Sequence, residues 1–400
     1  MSLSQNRNSQ YNHNPMKILD KLQYWLVSGV KYVMTGRKGI SEQDARRKFK
    51  RVKWILRSVL RNVFVERKGT YCPKLWDSAF VDQYGNVFNC CHSRPGASGN
   101  LYKTSMNDIW RKSPRLKLFR WLSRHKALYC ALDCILLTDE EKNSTPRKAP
   151  VIQHPLNVWV LHGELCNIAC PMCWQNHTDK RMISNEVLQK NIDWRQVKDI
   201  ELQGGEVLAM KQAKEFFVWL TQEQHKKANL ISNGTLINDE WAQNLVLGSD
   251  WIAISVNAAT QEVHEKINLK SRFPRVMENI RRMVKYKREL GAPITIIYKF
   301  SIVAGNLHEI ADAIPVAAEL GCDKITYGYD VTTVPVYLEA HPELKAELQQ
   351  KLQVQLAANL PIEIETMRLK FLGLLPDENG LPLAAAVSRP LAADQSTTVI

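Results

Sequence analysis

The stretch LNVWVLHGELCNIACPMCWQ, residues 156–175, decides the reading of this chain. Its first half is an apolar run of strand character that ends at Gly163. Its second half places Cys166, Cys170 and Cys173 within eight residues, spaced by three residues and then two. Structural zinc takes four ligands, usually as two close pairs. This loop offers three, and only by recruiting His162 or His177 does it reach four. An iron–sulfur cubane takes a thiolate on each iron. Three thiolates leave one iron open, and an open coordination position marks a catalytic centre rather than a structural one.

Downstream, strands and helices alternate. Strand-like runs occupy about 197–203, 229–232, 251–257, 294–303 and 323–329. Helical stretches occupy about 183–194, 210–226, 238–247, 260–290 with a break near Pro274, and 307–320. Counting the first strand, this makes six β/α units in about 175 residues, which predicts a parallel sheet. Functional side chains of such folds gather at the C-terminal strand ends. The cysteine loop, Gly204-Gly205-Glu206, Asn257 and Asp330 all fall at these ends.

These features resemble the radical S-adenosylmethionine (SAM) superfamily, and the resemblance implies an α/β fold, a partial (β/α)6 barrel. It implies a [4Fe-4S] cluster on Cys166, Cys170 and Cys173, with the methionine moiety of SAM on the open iron. Reductive cleavage then yields a 5′-deoxyadenosyl radical that abstracts hydrogen from a substrate. Gly204, Gly205 and Glu206 correspond to the family's contact with the methionine amino group. Ser255 and Asn257 fall where the ribose is held. Met172, before the third cysteine, and Val303, on strand five, fall beside adenine. Cys322 starts strand six at the opposite end and reads as a small buried residue. Tyr327, Tyr329 and Asp330 approach the open mouth.

A second cysteine set precedes the barrel: Cys72, Cys90 with adjacent Cys91, Cys130 and Cys134. Between them, Phe80–Phe88 reads as a β-hairpin turning at Tyr84-Gly85-Asn86, and 105–126 reads as one basic amphipathic helix. With Gly99-Asn100-Leu101 and Trp110, this resembles the SPASM/twitch module, placed here ahead of the barrel. The resemblance implies an auxiliary [4Fe-4S] cluster closed by Cys72, Cys90, Cys130 and Cys134, with Cys91 able to replace Cys90. A four-cysteine zinc site is the competing reading.

The chain has 400 residues and a formal net charge of +14, unevenly spread. Residues 1–70 hold 16 Lys/Arg against 4 Asp/Glu, whereas from residue 151 onward acidic residues outnumber basic ones by four. The expected organisation is a disordered 1–15, a basic helical region 16–70, the cluster module 71–150, the barrel 151–332, a helical extension 333–385 and a disordered 386–400. Two amphipathic helices are expected before residue 70. Such a basic surface suits an acidic electron donor, a flavodoxin or ferredoxin. No nucleic-acid recognition module is recognisable. No apolar run reaches the length of a membrane span and no secretory signal is visible, so a cytoplasmic protein is expected. The expected substrate is a ribosomally made peptide or protein, since many relatives with such modules modify these. The alternatives are oxidation or carbon–carbon bond formation on a small molecule and, from another class, a zinc-stabilised, non-catalytic binding protein with a basic docking arm.

Overall fold

The computed structural model describes residues 71–90, 96–125, 134, 137, 153–330 and 333–376. The basic helices expected before residue 70, Cys91, Cys130 and both expected disordered ends lie outside the described residues. The chain divides into two compact units. One comprises Met1–Asp77, Phe88–Ser98 and Trp110–Gln153; the other comprises Ser78–Val87, Gly99–Ile109 and His154–Ile400.

The elements before the barrel are α1 (Lys74–Asp77), β1 (Ser78–Val81), β2 (Asn86–Phe88), β3 (Gly99–Asn100), α2 (Met106–Lys112) and α3 (Pro114–Arg124). The expected hairpin forms. Asp82 organises its turn, accepting from the N–H groups of Tyr84 and Asn86 at 3.0 and 2.8 Å, and Gly85 takes φ +73° there. The single helix expected over 105–126 is two helices. Pro114 cannot donate an N–H, so the first helix stops before it, and Ser113 caps the second by accepting from Leu116 N–H. In the first unit, Arg120 ties α3 to the chain before it, donating from Nε to Leu75 O at 2.9 Å and covering the Trp110 ring.

The barrel elements are β4 (Asn157–Leu161), α4 (Asn185–Asn191), β5 (Asp199–Gln203), α5 (Lys211–Val218), β6 (Asn229–Ser232), α6 (Asp239–Gly248), β7 (Trp251–Ser255), α7 (Gln261–Ile267), α8 (Phe273–Glu289), β8 (Thr295–Ile302), α9 (Ala313–Glu319) and β9 (Lys324–Tyr329). Then follow α10 (Val334–Ala340), α11 (Pro342–Ala357), β10 (Glu363–Ile364) and α12 (Met367–Phe371). The six expected β/α units are present as β4 to β9, each strand parallel to the next. This is the α/β, partial-barrel fold expected from the alternation.

Two strands join this sheet that periodicity did not reveal. β10, inside the extension read as helical, pairs parallel with β9. β1, from the hairpin, pairs parallel with β4, Phe80 opposite Trp159. Both pairings are long-range, and a two- or four-residue strand carries too little alternation to show itself.

Along β8 burial alternates residue by residue: Ile296, Tyr298, Phe300 and Ile302 are buried, while Thr295, Ile297, Lys299 and Ser301 are half-buried. The buried set joins Phe216, Phe217, Ile280, Met283 and Ile314 among the helices in the core. Cys322 is buried as well, as expected.

Candidate functional site

The cysteine loop leaves the C-terminal end of β4 and is tied to the ends of β5 and β6 and to the turn between α7 and α8. Gly205 N–H donates to Gly163 O and Glu206 N–H to Leu165 O, both at 2.9 Å. A Cβ on Gly205 would stand 2.2 Å from Leu165 O and 2.3 Å from Glu164 O. This glycine therefore lets two backbone segments pack directly on one another. Asn167 donates to Thr235 Oγ1 at 2.7 Å, and Asn233 donates to Asn167 Oδ1 at 2.9 Å. Ala169 N–H reaches Leu269 O at 2.9 Å.

The three thiols are half-buried and influence one another electrostatically. Burial raises all three above the ordinary thiol range. Cys170 is pushed up to about 12, first by burial and then by Cys166 and Cys173. Backbone N–H groups of Ile168 and Gln175 favour the thiolates of Cys166 and Cys173. Desolvated sulfurs this close ionise together only against a cationic centre. The donor set thus fits a metal cluster.

Among the described residues, no three Cys, His, Asp or Glu side chains converge as ligands of a single ion. Ligands of a cubane sit on separate irons and stand further apart, so a three-thiolate cluster site remains compatible with this spacing. His162, one candidate fourth zinc ligand, is fully buried against Phe216, ring centroids 5.1 Å apart, and burial pushes it down to about 3. His177 contributes its backbone, accepting from Cys166 N–H at 3.2 Å.

Glu206 is buried, and the chain itself takes up its carboxylate. Oε1 accepts from Leu208 N–H at 3.1 Å and from the Ser232 hydroxyl at 3.0 Å; Oε2 accepts from Asn233 N–H at 2.7 Å. Burial raises its pKa against the pull of these donors. Asn257 lies beyond the end of β7 at φ +62°, a conformation asparagine tolerates. It donates to Asn268 Oδ1 at 2.9 Å and accepts from Ser301 N–H at 2.8 Å. Ser255 ends β7, half-buried. Met172 and Val303, far apart in sequence, pack on one apolar cluster of Ala258, Val263 and Ile267.

Four side chains that sequence reasoning missed hold this arrangement. Asn233 directs Nδ2 toward Cys166 Sγ at 3.8 Å. Asn268 accepts from the Cys170 thiol at 3.4 Å while donating to Val256 O at 2.7 Å. Asn306 donates to Asn257 O at 2.8 Å and to Ser301 O at 3.0 Å. Glu309, buried, accepts from Ala259 N–H at 2.6 Å and from Thr260 N–H at 3.3 Å, ahead of α7. Asn233 and Asn306 sit just past the ends of β6 and β8, a visible signal; Asn268 and Glu309 carry none.

Of the second cysteine set, Cys72, Cys90 and Cys134 are half-buried and assigned to the first unit. Cys72 N–H donates to Ser123 Oγ at 2.9 Å. A polar cavity of about 370 Å³, lined by Asn107, Lys190, Asp193, Trp194 and Trp219 among others, lies by the segment leading into β5, away from the cysteine loop. Among the described residues no helix is long and apolar enough to cross a membrane.

Comparison with known proteins agrees with this geometry. The Radical SAM superfamily model matches residues 160–303. The SPASM iron–sulfur cluster-binding domain model matches residues 72–135. A probable GTP 3′,8-cyclase of Saccharolobus islandicus (strain Y.N.15.51 / Yellowstone #2) is 25% identical over 169 residues, 40% of this chain and 52% of that protein. The chain therefore spans about half the length of the curated relatives it matches. Among solved structures, Streptococcus suis SuiB bound to precursor peptide SuiA is 13% identical with a TM-score of 0.41, covering 72% of this chain and 71% of that one. Native anSMEcpe with bound AdoMet is 16% identical with a TM-score of 0.42, covering 54% and 65%. The two matched domains are of the types that carry [4Fe-4S] clusters and use SAM. The chain thus carries a radical SAM domain over residues 160–303, behind a SPASM iron–sulfur cluster-binding domain over residues 72–135.

Proposed function

We propose that this chain reductively cleaves SAM and abstracts hydrogen from a ribosomally made peptide or protein. The observation that carries the SAM-dependent part is the three-cysteine loop at the end of β4, buttressed by the glycine pair at the end of β5. Cys166, Cys170 and Cys173 hold the catalytic cluster. When bound, cluster and SAM supply a 5′-deoxyadenosyl radical. The chain's own residues place and shield that chemistry. Gly204, Gly205 and the buried Glu206 shape the edge where the methionine amino group docks. Ser255 offers a hydroxyl to the ribose, with Asn257 shaping the same wall. Met172 and Val303 form an apolar bed for adenine.

Cys72, Cys90, Cys130 and Cys134 hold an auxiliary cluster, Cys91 being the alternative to Cys90. Four protein thiolates close that cluster, which suits electron transfer or structure. The basic region before the barrel receives an acidic flavodoxin or ferredoxin, and the protein works in the cytoplasm. The peptide reading is supported by the pairing of SPASM and radical SAM domains. A small-molecule substrate is the second reading, favoured by the likeness to a probable GTP cyclase.

Anaerobic reconstitution tests the whole assignment. Two clusters predict about eight irons per chain, and about four would reject the second cluster. Formation of 5′-deoxyadenosine is expected and should vanish in the Cys166→Ala, Cys170→Ala and Cys173→Ala variants. Colourless, zinc-loaded protein that leaves SAM intact would establish the zinc-stabilised binding protein instead.

A further inference from the structure

The half-buried face of the sheet carries polar and charged side chains. In β5, Asp199, Glu201 and Gln203 alternate with buried Ile200 and Leu202; in β8, Lys299 belongs to the corresponding half-buried set. Trp159 on β4 is the register partner of Glu201, so the two share a face. Lys299 is the register partner of Ser255, which places it at the strand end where the cysteine loop lies. Glu201, Glu365 just after β10, and Arg368 in α12 all act electrostatically on Lys299.

Among the described residues, Trp159 Nε1, Arg368 Nη1 and Glu365 Oε1 are shielded from solvent without a hydrogen-bond partner. The Lys299 ammonium has no hydrogen bond or ion pair within contact distance among the described residues, although its carbonyl accepts from Val256 and Asn257 N–H. Folded proteins rarely leave buried polar atoms unpaired, because each costs about 1–3 kcal/mol. Three such atoms, with the Lys299 ammonium beside them, indicate a partner that arrives from outside. The donors outnumber the acceptors, three to one. Two cations face Glu365 and Glu201, and burial pushes Glu201 up to about 7, so it is only partly ionised at neutral pH. Burial lowers the Lys299 pKa as well, and an incoming anion offsets that penalty; with Glu201 protonated the set is net positive and attracts a single negative charge, whereas several would be repelled by the carboxylates.

We propose that this face is a substrate subsite for a single carboxylate carried by a peptide, held by Lys299, Arg368 and the Trp159 Nε1–H, with Glu365 accepting a peptide N–H. The proposal rests on the radical SAM reading and deepens it by naming the chemical class of the substrate.

A positional-scanning library of acetylated octapeptides, captured on the immobilised, reconstituted full chain with SAM present, tests it. Wild type should enrich Asp or Glu over Asn or Gln at one position by about tenfold, the factor of a single charge-assisted contact. Lys299→Gln and Arg368→Gln should each lose that preference, and Lys299→Arg should keep part of it. Far-UV circular dichroism and iron content verify folding; if a glutamine variant fails to fold, Trp159→Phe, which removes only the indole donor, reads the same loss. No acidic enrichment by wild type, or enrichment unchanged in the folded variants, overturns the proposal. GTP bound with the same dependence on Lys299 and Arg368, without acidic peptides enriched, overturns it in favour of a phosphate-bearing substrate. Wild-type SAM cleavage is followed in the same preparation. Its absence would reject the underlying reading, whereas cleavage without acidic enrichment rejects the carboxylate subsite alone.

Discussion

The Glu206 carboxylate accepts two backbone N–H groups and one hydroxyl in a buried position, joining the end of β5 to the end of β6. A glutamine there keeps one oxygen and turns an NH₂ toward donors. Glu206→Gln should therefore lose about 1–3 kcal/mol of stability. An unchanged urea midpoint would refute that role. Glu201 has a different consequence. Its folded pKa, raised to about 7 mainly by burial, exceeds the ordinary glutamate value of 4.5. The folded state therefore binds the proton more tightly, and ionising Glu201 destabilises the fold. The penalty is fully present above about pH 7 and disappears as pH falls toward 4.5; it is on the order of 3 kcal/mol. Glu201→Gln should flatten the pH dependence of the melting temperature in that window. A wild-type profile that loses stability from pH 7 to pH 5.5 more steeply than the variant would contradict the assignment. Glu201 was legible as a strand residue, but its environment was not, because the cation acting on it, Lys299, lies 98 positions away in sequence.

At the scale of elements, the site is a joint between strand ends. The segment after β5 packs against the segment after β4 so closely that Gly205 admits no side chain. Gly205→Ala should force Glu164 and Leu165 aside and displace Cys166 with them. The expected outcome is loss of the catalytic cluster's iron, about four atoms per chain, with helix and strand content kept in far-UV circular dichroism. Retention of full iron would show that the loop can yield. The existence and order of β4 to β9 could be read from alternation, since each strand shows two-residue periodicity or a glycine-marked end. The division of 105–126 at Pro114 was also written in the residues and was missed because the amphipathic pattern continues across the break. β1 and β10 join the sheet through backbone pairing with distant strands, which no local pattern records.

Charge is a property of the whole chain, and under the proposed function its asymmetry bears on electron supply. The basic excess lies before residue 151, ahead of a slightly acidic catalytic portion. Replacing Arg46, Arg47, Arg51 and Arg57 by glutamine should slow cluster reduction by flavodoxin several-fold at low ionic strength and leave reduction by dithionite unchanged. Equal slowing with both reductants would assign those arginines to folding instead.

Residue order by itself determined the three-thiol loop, the six β/α units and the site's place at their C-terminal ends. These follow from spacing and periodicity, which are local. Tertiary structure decided what each side chain faces. It turned Glu206 inward, brought Met172 and Val303 onto one apolar bed, recruited Asn233 and Asn268 to the cysteines, and brought Lys299 within electrostatic reach of Arg368, whose Nη1 is buried without a hydrogen-bond partner. A hydrogen bond or a desolvation penalty depends on distance in space, and only the folded chain sets those distances.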